Sequence, residues 1–68
     1  MKVFVVTKAK PLQSEIYIGI KKTLKDAEKL LRSEFPHMRK IEDSISNQHN
    51  YASDKDSMWL LFVHEEEI

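Results

Sequence analysis

Residues 23–36, TLKDAEKLLRSEFP, decide the fold. Advancing about 100° per residue from Leu24 gathers Ala27, Leu30, Leu31 and Phe35 within an arc of roughly 140° and leaves Lys25, Asp26, Lys29, Arg32 and Ser33 outside it. This spacing predicts one amphipathic helix. Thr23 stands where an N-cap hydroxyl accepts from the first turn, Asp26 is a weaker version of the capping-box acid, and Pro36 discourages continuation past Phe35. Glu28 and Arg32 stand four apart in the favourable order, a pair worth only ~0.2–0.5 kcal/mol. A helix this short is marginal alone, so it needs a surface to lie on. Glu34 falls inside the apolar arc and is expected to tilt into solvent.

Working outward, Ile16, Ile18 and Ile20 alternate with Tyr17, Gly19 and Lys21, the pattern of an edge strand with one buried face. Gly19, the only glycine, is read as a place where a bulky neighbour crosses, with a bulge as the other reading. Residues 2–7, KVFVVT, are apolar on both alternating faces, Val3 and Val5 one way and Phe4 and Val6 the other, which predicts a central strand. The stretch between them holds Pro11 and polar residues and is a connection. Downstream, residues 38–45 suit an edge strand better than a short amphipathic turn. Residues 46–57, SNQHNYASDKDS, are polar and aperiodic and predict a long loop. Residues 58–64, MWLLFVH, set Trp59, Leu61 and Val63 opposite Met58, Leu60 and Phe62, a second central strand.

The fold expected is α+β: a two-layer ββαββ domain over residues 1–68, with a four-stranded mixed sheet and one amphipathic helix on one face. Its first and last strands would lie side by side and parallel. One helix covers one sheet face, so the other would present a subset of Phe4, Val6, Tyr17, Trp59, Leu61 and Val63, a patch rare on monomers. Phe4, Tyr17, Trp59, Leu61 and Val63 are therefore the expected interface, and a homodimer is the expected assembly. The alternative dimer extends the sheet through the edge strand that begins at Met38.

Composition narrows the function. There is no cysteine, so disulfides and thiolate metal sites are excluded. No run of 18 apolar residues exists and the N-terminal apolar run is too short for a signal peptide, which predicts a soluble cytoplasmic protein with no membrane partner. The net charge is zero, yet residues 1–40 carry ten basic and four acidic side chains while residues 41–68 carry one and seven. Pairing of strands from the two ends accounts for this asymmetry most simply, and a dipolar surface that steers a partner is the sharper reading.

Catalytic and cofactor chemistry finds no support. His37, His49 and His64 lack the spacing that sets two metal ligands on one helix face, so no metal is expected. His64 beside Glu65, Glu66 and Glu67 reads as a solvated chain end rather than an acid–base site. The serines have no nucleophile-elbow or SxxK context, and a single glycine cannot build a phosphate-cradling loop. A non-enzymatic protein without cofactors follows. The runner-up function is nucleic-acid binding, with Phe4, Tyr17 and Trp59 stacking bases and Lys2, Lys8, Lys10, Lys21 and Lys22 holding phosphates. Against it stand the missing RNA-recognition motif and the acidic second half.

The opening MKVFVVT, the central IGIKKTLKDAEKLL and the closing WLLFVHEEEI resemble short proteins encoded by phages and prophages of Gram-positive bacteria. That resemblance covers most of the chain and implies a bacterial cytoplasm and a phage setting. Some such proteins act by binding host proteins, so it implies a protein-binding role, with a host protein as a further partner, and it carries over no site residues.

Overall fold

The computed structural model describes residues 1–41, 47–53 and 59–68. Among these residues the order is β1 (Lys2–Ala9), β2 (Ile16–Lys21), α1 (Leu24–Glu34), β3 (Arg39–Ile41), β4 (Gln48–Ala52) and β5 (Leu60–Glu67), and one sheet runs β2-β1-β5-β4-β3 with every neighbour antiparallel. The expected four-stranded mixed sheet is thus corrected to five antiparallel strands. The additional strand is β4, inside the stretch read as a loop. Each added strand reverses the chain once, so the fifth also turns the expected parallel pairing of the first and last strands into an antiparallel one. Residues 42–46 and 54–58 lie outside the described residues, and with them parts of the expected edge strand, of the expected loop and of the last strand's start.

The helix forms as its sequence dictates. The Asp26 N–H donates to Thr23 Oγ1 at 3.1 Å, and the Phe35 N–H closes the last turn on the Leu31 carbonyl at 2.8 Å. α1 lies across β1, β2 and β5, where Ala27 and Leu31 are buried completely with Val6, Leu61 and Val63, and Tyr51 joins them from β4. Phe4, Ile18, Leu24, Leu30, Phe35, Met38 and Trp59 pack around this core.

The edge strand β2 departs from simple alternation. Val6 pairs with Gly19 but Thr7 pairs with Tyr17, which leaves Ile18 as the extra residue of a bulge. Ile18 consequently packs on the core while Ile16 and Ile20, expected beside it, remain 48% and 51% exposed. Gly19 also accommodates the helix, since a Cβ there would stand 3.1 Å from Leu30 Cδ2. Both readings of this glycine hold, close approach at the residue itself and a bulge beside it.

Between β1 and β2, the Gln13 N–H donates to the Lys10 carbonyl at 3.1 Å, with Pro11 first and Leu12 second at φ 64°. That is the order of a type II turn, whose second position favours glycine. Leu12 there is wholly exposed.

Candidate interaction face

The registers sort the strand side chains onto two faces. Under α1 lie the rows Gly19–Val6–Val63–His49 and Lys8–Leu61–Tyr51–Lys40. On the opposite face lie Ile20–Val5–His64–Gln48, Tyr17–Thr7–Phe62–Asn50–Ile41 and Ala9–Leu60–Ala52–Arg39. No helix among the described residues covers this second face. Its apolar side chains are Val5 and Phe62, half-buried, and Leu60 and Ile20, exposed, with Thr7 and His64 among them, and among the described residues Arg39 is the only Lys or Arg that the strands place on it.

Expectation and structure part at this point. Leu61 and Val63 are fully buried beneath α1, and Phe4 is half-buried against the same core, so three of the five residues expected at an interface face inward. Tyr17 is 62% exposed on the edge strand. Trp59 sits at the end of the helix, with its ring centroid 6.5 Å from that of Phe35 and the ammonium groups of Lys8 and Lys10 at 4.9 and 5.1 Å. Of the lysines offered to nucleic acid, these two are therefore gathered on an indole, Lys8 also standing 3.9 Å from Glu34, while Lys21 and Lys22 are exposed near the start of α1. Phe4, Val6, Leu61 and Val63 share a face as expected but it is the covered one, whereas Tyr17, grouped with them, lies on the open face. Thr7 and His64 lie on the open face, but Lys8, His49 and Glu65 lie on the covered one, so polar residues alone do not mark the dry side.

One polar constellation stands on the open face. The Thr7 hydroxyl donates to Glu15 Oε1 at 2.5 Å, and the same oxygen lies 2.7 Å from His64 Nε2. The Phe62 and His64 rings stack with centroids 5.9 Å apart. The Thr7 hydrogen bond, and then that of His64, hold the Glu15 carboxyl below the usual carboxylate range. The residue types are those of a nucleophile triad, but the order is wrong: the carboxylate sits between hydroxyl and imidazole, so the imidazole has no hydroxyl to deprotonate. The arrangement instead pins the β1–β2 loop onto the sheet.

The acidic chain end, read as solvated, belongs to β5. On the helix side Glu65 accepts from Lys2 Nζ at 3.0 Å and lies 2.6 Å from His49 Nε2, contacts that lower its pKa, the His49 bond foremost. The Met1 ammonium stands 3.1 Å from Glu67. Pairing of the oppositely charged chain ends in the sheet thus accounts for part of the charge asymmetry. No group of three or more His, Cys, Asp or Glu among the described residues is placed to hold a metal, and no helix among them is long and apolar enough to cross a membrane.

Comparison of the chain with protein-family models, with curated proteins and with solved structures returns no match.

Proposed function

We propose that this protein works by protein–protein contact, and that a second copy of the chain is the partner of the open sheet face. The observation that carries this reading is the set of apolar side chains Val5, Leu60, Phe62 and Ile20, around the Thr7–Glu15–His64 group, on a face that no helix among the described residues covers. Five strands of three to eight residues, ~4.8 Å apart and ~3.3 Å per residue, make a face on the order of 450–500 Å² in plan, smaller than the ~800 Å² that each partner gives to a standard interface. The chain exposes 4895 Å², whereas a compact monomer of 8.0 kDa exposes about 4,450 Å², so surface is available to bury. A patch that mixes apolar side chains with polar ones is in keeping with non-obligate protein interfaces, and a twofold axis would use this patch twice. Among the described residues, pairing through β3 offers three residues. Nucleic acid is disfavoured on this face because the strands bring it Arg39 alone.

Sedimentation velocity at micromolar concentration tests the reading. Wild type sediments as a dimer, and Phe62→Lys or Leu60→Lys as a folded monomer by circular dichroism. A wild-type monomer overturns the proposal.

A further inference from the structure

We propose that the outward side of α1 is a docking strip for the phosphate backbone of a nucleic-acid duplex. At about 100° per residue, Lys25, Lys29 and Arg32 fall within roughly 60° of one another, opposite the buried Ala27 and Leu31, and they span about 10 Å of the axis. All three are exposed, and among the described residues none has a carboxylate within ion-pair distance. Shallow grooves flank them, one of about 430 Å³ lined by Lys25, Glu28, Lys29, Arg32 and Ser33, and one of about 370 Å³ to which Lys21 adds a fourth cation.

This strip works against the helix that carries it. Lys25 and Lys29 are like charges four apart, Lys29 and Arg32 three apart, and Lys25 stands in the first turn, where the helix dipole disfavours a cation. Glu28 lines the same groove and keeps its charge there, but it accepts from the Tyr51 hydroxyl at 2.7 Å and makes no ion pair with Arg32, which stands in the last turn where the dipole favours a cation. A row of three exposed cations, with like charges four and three apart and no ion pair among the described residues, fits a row of external anions. Its chemistry favours phosphates over a protein surface, because the strip contains no exposed apolar side chain to form the dry centre that a protein interface requires. Asp26 on the flank stays near the helix N-terminus, where its charge is favourable. The strip lies on the opposite side of the molecule from the open sheet face, so it does not depend on dimerisation.

The experiment is fluorescence anisotropy with labelled DNA and RNA duplexes between 50 and 200 mM salt. Neutralising three phosphates gives a log–log slope of about −2.7, an affinity loss of roughly 40-fold over that range. In Lys25→Gln with Lys29→Gln the slope falls to about −0.9, with a melting temperature equal to or above wild type. Lys8→Gln with Lys10→Gln leaves the slope unchanged. Comparable affinity for both duplexes assigns the strip to backbone charge, and preference for one names the natural source. The proposal is overturned by absence of duplex binding at 50 mM salt, by an unchanged slope in the α1 variant, by loss in the Lys8 and Lys10 variant instead, or by equal binding of polyglutamate, which would assign the strip to an acidic protein.

Discussion

The two faces of the sheet are built by the same strands, often by adjacent residues, yet they obey different rules. Val6, Leu61 and Val63 beneath α1 are fully buried, while their immediate neighbours Val5, Leu60 and Phe62 keep solvent contact. Residue type does not separate them, since valine, leucine and phenylalanine serve on both sides. What separates them is the covering layer, and the free energy of each apolar side chain follows the water it loses rather than its identity.

The contrast is sharpest at the helix contact. Leu31→Ala leaves a cavity in the covered face and costs ~2–5 kcal/mol, enough to unfold much of a domain this small, whereas Phe62→Ala in the monomer costs ~1 kcal/mol or less, because solvent fills the space. Urea titration at low protein concentration reads both, and equal losses would abolish the distinction between the faces. Tyr51→Phe comes next. It keeps the ring in the core but removes the hydroxyl that Glu28 accepts, for a loss of about 1–2 kcal/mol, measurable in the same titration.

The loop pinned to the open face gives smaller effects. Leu12→Gly relieves a left-handed backbone at a wholly exposed side chain and should stabilise by up to ~1 kcal/mol, read as a higher melting temperature. Glu15 offers a pH signature. Its pKa is lowered in the folded chain, so its contribution is present above the usual value of 4.5 and is lost as pH falls through the lowered value. Between pH 6 and 3, Glu15→Gln therefore loses less stability than wild type. Parallel curves would show that the contact with Thr7 and His64 contributes nothing.

The sequence reading succeeds where local rules suffice. Thr23, Asp26 and the spacing of Ala27, Leu30 and Leu31 define α1, and the dense apolar runs locate β1 and β5. It fails at β4, because QHNYA carries one large apolar side chain and satisfies its polar ones through partners distant in sequence: His49 with Glu65 and Tyr51 with Glu28. Gln48 with Asn50 is local. A strand held by such pairs has no period-2 hydrophobic signature. Missing it changed the strand count and the direction of β5 together. The open face was similarly illegible, since runs apolar on both sides, with polar residues on each, leave the helix a choice of face.

The placement of β5 governs when the chain can fold. It lies between β1 and β4, supplies Leu61 and Val63 to the core, and follows every other described strand in chain order. Until it emerges, β1, β2 and α1 have two core side chains missing and an unpaired central edge, and the pairing that completes them joins residues as far apart as Lys2 and Glu67. Folding should therefore wait for β5, with the slow rate expected of non-local strand pairing. A nascent chain stalled before Leu60 should remain open to protease, and adding β5 as a separate peptide should close it.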